Sequence, residues 1–155
     1  MNDEVHMVDG RFNFWRKWLV ICSAITILFS LMMVFGSTGF LFEFYNRQVA
    51  TAIWGRPELH EAVVKYHAWI FGVLGSSIAG WSVCLLFIAL YPFKRREKWA
   101  YYCILISILI WAPLDSAFSI YFGVYIEALF NLFAVTLFLI PLIATYGSFF
   151  PKEAD

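Results

Sequence analysis

Charge is scarce in this sequence. Asp, Glu, Lys and Arg make up only 14% of the 155 residues, against about a quarter in an ordinary soluble domain. Hydrophobic residues account for 62% and aromatic residues for 21%. The formal net charge is zero and no long run of one sign occurs, which leaves no electrostatic footprint for nucleic acid. The composition therefore predicts a membrane protein whose main partner is the lipid bilayer, with no nucleic-acid partner.

Cysteine is also rare. Three occur, all within apolar stretches and at unrelated spacings: Cys22, Cys84 and Cys103. No CxxC pair is present and no histidine lies close to them along the chain. This pattern argues against a disulfide framework, a cysteine zinc site or thiol–disulfide chemistry. We interpret the three residues as small buried hydrophobes and predict no cofactor.

Long apolar segments are what the sequence has in quantity. A bilayer core about 30 Å thick needs about 20 apolar residues per helix, and a lipid-exposed backbone must satisfy its own hydrogen bonds. Four segments reach this length: about 18–36, 68–91, 99–122 and 124–146. We predict an all-α, four-transmembrane-helix bundle that forms a single membrane domain over residues 1–155.

Lysine and arginine positions predict how the chain is threaded. Basic residues concentrate in the N-terminal flank, in the link between the second and third spans and in the C-terminal tail: Arg11, Arg16, Lys17, Lys94, Arg95, Arg96, Lys98 and Lys152. These three segments lie on one side of a four-span chain, and the positive-inside rule makes that side cytoplasmic. Both termini are therefore predicted to be cytoplasmic.

The first loop, residues 36–67, lies on the opposite, outer side and is too apolar for a free linker. In FLFEFYNRQVATAIW, Tyr45, Val49 and Ile53 recur at helical spacing, which predicts a short interfacial helix lying on the outer leaflet. Gly55 then ends this element. Pro57 is well suited to a first helical position, so we predict that the second span begins there as an extension above the membrane.

The second span carries one helix-packing signal. Small residues recur at intervals of four: Gly72, Ser76 and Gly80. Such a face lets another backbone approach closely. Its partner could be a span of the same chain, a second copy in a homo-oligomer or a subunit of a larger membrane complex.

Asp115, within WAPLDSAFSIYFG, is the unexpected residue of the third span. It lies 16 residues after Trp99, or about 24 Å at 1.5 Å per residue, and so within the outer part of the hydrocarbon. Glu127 and Asn131 enter the membrane from the same side with the fourth span, and His67 enters with the second. The sequence thus predicts a polar pocket in the outer leaflet, to which Trp111 adds a stacking surface and Ser119 a hydroxyl.

A carboxylate at membrane depth costs about 2.5 to 3.5 kcal/mol on insertion scales, so each should face the bundle interior and find a partner or a proton. Two interpretations of Asp115 stay open. It could be structural, bonded to Asn131, a serine or an indole, or it could bind a ligand or proton. Glu127 has a plainer reading as an interfacial residue beside a turn.

A metal site is the weakest of these interpretations. Zinc or iron could be held by four side chains of suitable type: His60, His67, Asp115 and Glu127. They lack any local spacing motif such as HExxH, so we predict no metal.

Three stretches carry a family resemblance: GVLGSSIAGW in the second span, YPFKRREKWA, and WAPLDSAFSIYFGVYIEALFNLFAVTLFLIPL across the third and fourth. Over roughly residues 65–143 the chain resembles a group of uncharacterised bacterial four-span membrane proteins that are loosely DoxX-like. The resemblance implies a four-helix bundle in the bacterial inner membrane. It implies no shared reaction or catalytic motif.

Three classes of function follow as expectations. The first is a protein that binds a proton or a small amphipathic ligand from the lipid phase, stacking it on Trp69, Trp81 or Trp111. The second is a non-catalytic accessory or assembly subunit that docks through the small-residue face. The third is an intramembrane enzyme using Asp115 and Glu127 as acid and base on a lipid. No nucleophile or nucleotide signature is present, so the enzyme comes last.

Overall fold

The computed structural model describes residues 2–58 and 60–151, with side chains from Gly10 onward. Lys152, one of the residues used to predict the threading, lies outside this range. The described chain is built from five α-helices: α1 Asn2–Gly36, α2 Phe40–Trp54, α3 Glu61–Leu90, α4 Lys98–Tyr121 and α5 Tyr125–Phe149. The predicted all-α architecture is confirmed, including the short helix between the first and second spans.

Four of the helices, all except α2, are long and apolar enough to cross a bilayer. Their outward faces carry large apolar side chains, such as Leu114, Phe118 and Phe133, that are more than half exposed. Such surface is unfavourable in water and suits contact with lipid chains. The chain is therefore a multi-pass membrane protein.

The second span begins later than Pro57. Gly55 ends α2 with a left-handed φ of 69°, a conformation open to glycine, and α3 starts only at Glu61. His60 supplies the N-cap because its Nδ1 accepts a hydrogen bond from the Ala62 amide at 3.3 Å. A capping side chain, and not a proline at the first helical position, thus determines where this helix begins.

Small residues bring α1 and α3 close together. A Cβ built on Gly75 would stand 2.7 Å from the Ser30 carbonyl oxygen and 3.1 Å from the Met33 Cβ. Ser82 and Ala89, seven and fourteen residues further along α3, are buried on the same stripe. A seven-residue repeat of small side chains keeps one face of the helix against its partner.

Helix α5 packs on α1 and on α4, whereas α3 and α4 meet at few points. The contact with α1 includes a bond from the Trp18 indole Nε1 to the Leu137 carbonyl oxygen, 3.0 Å long. Pro141, four residues on, has no N–H for that carbonyl. The indole therefore satisfies a backbone acceptor that proline leaves free inside the membrane.

A tight turn sets α5 antiparallel to α4. Gly123 adopts a left-handed φ of 73°, and the Val124 amide donates to the Ser119 carbonyl oxygen at 2.8 Å. Only Phe122, Gly123 and Val124 separate the two helices. The end of α4 and the start of α5 must therefore face each other, which positions the polar residues described next.

Candidate functional site

Polar side chains of α4 and α5 meet one to two turns below the Gly123 turn. Asn131 is only 3% exposed, and its Nδ2 donates to the Ser116 Oγ at 3.2 Å. Asp115 and Glu127 are half-buried and lie close enough to interact electrostatically. The predicted convergence of Asp115, Glu127 and Asn131 is thus present as an arrangement of neighbouring side chains, which we call the carboxyl cluster, with Ser116 as its fourth member.

Tyr45 of α2 completes the cluster, a contact that the sequence does not predict. Its hydroxyl lies within hydrogen-bonding range of the Glu127 carboxylate and is also close enough to interact electrostatically with Asp115. The ring packs between Phe71 and Phe130, with centroid distances of 5.7 and 6.2 Å. The short helix therefore covers the carboxyl cluster with a phenol. The helical spacing of Tyr45 and Val49 predicts the short helix, but it does not predict which residues the Tyr45 hydroxyl contacts.

The surroundings of Tyr45 keep its phenol protonated. Burial raises its pKa above the ordinary value near 10, and the negative charges of Glu127 and Asp115 raise the pKa further. A protonated phenol can donate to a carboxylate, whereas a phenolate would repel it. The stabilisation from this contact is therefore fully present below about pH 10, and it declines progressively above that pH because the phenol then ionises in the unfolded chain while it stays protonated in the folded one.

Within the described residues, no lysine or arginine forms an ion pair with either acid of the cluster. The ion pairs join Glu43 to Arg47, Glu61 to Lys65, and Glu97 to Arg95, all at least partly exposed. Glu127 instead lies against the Tyr45 phenol, and Asn131 and Ser116 bond to each other beside the two acids. Both acids therefore lack a neutralising basic side chain within the described residues.

Aromatic rings lie one helical turn from Asp115, on the side away from the Gly123 turn. Trp111, one turn before Asp115 on α4, lies 5.7 Å from Trp81 between ring centroids, and Trp81 lies 6.5 Å from Phe138. The Trp81–Trp111 contact joins α3 to α4, two helices that otherwise meet at few points. Trp69, the other tryptophan considered for stacking, is 63% exposed and faces away from the bundle.

Ser119 and His67, which were also predicted for the pocket, lie outside the carboxyl cluster. Ser119 is half-buried one turn beyond Asp115, where its carbonyl closes the turn into α5. His67 stacks on Phe71 at 4.2 Å and lines a cleft beside α2. In the part of the chain that the structure describes, no hydrogen bond or ion pair joins His67 to Asp115 or Glu127. Phe71, which contacts both His67 and Tyr45, lies between the two regions.

The predicted packing residues of α3 face outward in this chain. A Cβ added to Gly72 or Gly80 would meet nothing within 4 Å, and Ser76 is exposed with its hydroxyl bonded back to the Gly72 carbonyl. The close approach of α1 occurs instead at Gly75. Contact of this outward face with a second copy or another subunit stays a prediction.

No family model, curated protein or solved structure matches the chain. The DoxX-like resemblance accordingly stays a prediction. In residues 2–58 and 60–151, no group of three His, Cys, Asp or Glu side chains is placed to hold a metal ion.

Tyr45→Phe tests whether the Tyr45 hydroxyl stabilises the carboxyl cluster. The variant keeps the aromatic contacts but removes the donor to Glu127, so we expect a loss of about 1–2 kcal/mol in the free energy of unfolding at pH 7. The deficit should shrink above about pH 10, because the Tyr45 phenol then ionises in unfolded wild type while it stays protonated in the folded protein. Thermal unfolding in one detergent at pH 7 and pH 11 measures both effects. Tyr66→Phe, at an exposed position of α3, is the matched control, and equal stability of the two variants would contradict the assignment.

Proposed function

We propose that this chain is an integral membrane protein that binds a proton, or a small amphipathic ligand from the lipid phase, at the carboxyl cluster. The observation that carries the proposal is the pairing of Asp115 and Glu127 beneath Tyr45 without a basic partner in the described residues. A purely structural acid in a membrane is usually matched by a cation or by donors that use its capacity. Here two acids share few donors.

The surroundings favour an amphipathic ligand. An O–H or N–H group of the ligand would bond to Asp115 or Glu127, while its apolar part would pack on Trp81 and Trp111. The sparse contact between α3 and α4 offers a lateral route from the lipid to these rings. Binding would follow the usual pattern of a mostly apolar site with a few polar groups that fix orientation.

We further propose that the membrane is the bacterial inner membrane, with the cluster in its outer leaflet and both termini cytoplasmic. The distribution of lysine and arginine supports this orientation. Labelling of Arg56→Cys by an impermeant maleimide in intact cells, with Lys94→Cys labelled only after permeabilisation, is the expected result.

Native mass spectrometry of wild type beside Asp115→Asn tests the proposed ligand site. We expect a discrete extra mass on the wild type that is lost or reduced at least tenfold in Asp115→Asn, since a bond to a charged group contributes about 1.5–3 kcal/mol. Glu61→Gln, at an exposed acid paired with Lys65, is the matched control and should keep the mass. Spectra with no extra mass on any of the three folded proteins would contradict ligand binding. A pH dependence of stability that is the same in Asp115→Asn as in wild type would contradict proton binding.

An accessory subunit is the second candidate function. The observation that favours it is the outward Gly72, Ser76 and Gly80 face, which has no close neighbour within this chain. Gly80→Leu should then release the chain from its complex, as seen by co-purification, while its own thermal stability does not fall. The intramembrane acid–base enzyme stays a prediction that no contact specifically favours.

A further inference from the structure

A cleft on the other side of α2 has no role in the carboxyl cluster. It encloses about 230 Å³ between α2 and the first turns of α3. The α2 wall includes Glu43, Asn46, Arg47 and Trp54, and the α3 wall includes Val64 and His67. Tyr45 and Asn46 are neighbours in sequence, so one helix closes the cluster with one residue and lines the cleft with the next.

Two buried polar atoms of this cleft lack partners in the described residues. The Asn46 Nδ2 donates to the Ser37 carbonyl oxygen at 2.7 Å, and this bond fixes the orientation of the amide. The Oδ1 is consequently the atom that is buried without a donor. The His67 Nε2 is also buried without a partner. Such groups are rare in folded proteins, and two in one small cleft indicate a missing donor.

We propose that the cleft binds a primary ammonium group. An ammonium carries three N–H donors, which match the Asn46 Oδ1, the Nε2 of neutral His67 and a carboxylate oxygen of Glu43. Glu43 has capacity for this bond because its distance to Arg47 is 3.7 Å, long for a hydrogen-bonded ion pair. The ring of Trp54 adds an aromatic wall suited to a cation.

The ammonium could belong to a free amine or to the headgroup of an ethanolamine phospholipid. Both sources fit a cleft beside a helix that carries exposed apolar side chains, including Phe40, Leu41 and Phe44. In the lipid case, Arg47 at the rim would face the phosphate. The site uses none of the cluster side chains, so it stands whether or not Asp115 and Glu127 bind a ligand.

Native mass spectrometry of the delipidated full chain distinguishes these sources. One arm supplies equimolar phosphatidylethanolamine and phosphatidylcholine with identical acyl chains. The other supplies n-butylammonium and n-butyltrimethylammonium, which differ in N–H donors but not in charge. We expect the primary ammonium form to be retained about tenfold over its trimethylated counterpart in at least one arm. Preference in the lipid arm identifies a headgroup, and preference only in the second arm identifies a free amine.

His67→Phe keeps a ring against Phe71 but removes the Nε2 acceptor, and we expect the preference to fall to near unity. Gln48→Ala, on the same helix but outside the cleft, should leave it unchanged. If His67→Phe fails to fold, Glu43→Ala at an exposed position serves the same purpose, because it removes the carboxylate acceptor. Equal retention of primary and trimethylated forms in both arms, or a preference that survives in the folded variant, would overturn the proposal and leave water as the partner of these atoms.

Discussion

Gly75→Ala is expected to lower the free energy of unfolding by about 1–3 kcal/mol, because an added methyl overpacks the contact between α1 and α3. The new Cβ would lie 2.7 Å from a backbone oxygen of Ser30, an atom that cannot move without shifting α1. Gly75→Leu should prevent this pairing altogether. The effect opposes the gain of about 1 kcal/mol that alanine gives over glycine inside a helix.

Gly80→Ala isolates this clash from helix propensity. Gly80 lies five residues after Gly75 on α3, and an added Cβ there would meet nothing within 4 Å. The variant should therefore show only the gain in stability that alanine gives over glycine inside a helix. Thermal unfolding of both variants in the same detergent, followed by circular dichroism, gives the comparison. Equal midpoints for the two variants would show that α1 does not approach α3 at Gly75.

Glu127→Gln and Asp115→Asn are expected to stabilise the protein at neutral pH while weakening proton or ligand binding. Each amide removes one charge from an acid pair that has no basic partner in the described residues. Placing a carboxylate at membrane depth costs up to about 2.5–3.5 kcal/mol, so removing its charge should stabilise the folded protein. We expect a gain of about 1–3 kcal/mol. The gain from Glu127→Gln should fade at acid pH, since protonation of the Glu127 carboxylate removes the same charge from wild type.

The opposite sign would support a structural role for these acids. If both variants lose stability at pH 7, the carboxylates are making bonds that the amides cannot replace. Glu61→Gln serves again as the reference, because its exposed pair with Lys65 contributes little. Unfolding curves for the four proteins at pH 5 and pH 7.5 decide between the two interpretations.

Several features could be predicted from the sequence alone because they depend only on the length and hydropathy of each segment and on the positions of residues along the chain. The number of spans follows from segment length and hydropathy, and the helices of the structure agree with it to within a few residues except at the start of α1 and of α3. The meeting of Asp115, Glu127 and Asn131 was also predictable. A short turn at Gly123 makes the two helices antiparallel neighbours, so Asp115 and Asn131, each eight residues from Gly123, lie at equal depth, with Glu127 one turn nearer the Gly123 turn.

Only the tertiary structure decided the features that depend on rotation of one helix about its axis and on which helices pack together. Spans that are apolar on every side give no periodic signal for the buried face, so the sequence alone did not show that α1 contacts α3 at Gly75 while Gly72, Ser76 and Gly80 face outward. Depth likewise grouped His67 with Asp115, but the packing of Phe71 places it in a separate cleft. Tyr45 joins the cluster because α2 folds back over α5. Hydrophobicity sets how far a residue lies along the membrane normal, and side-chain packing alone sets which neighbour it meets there.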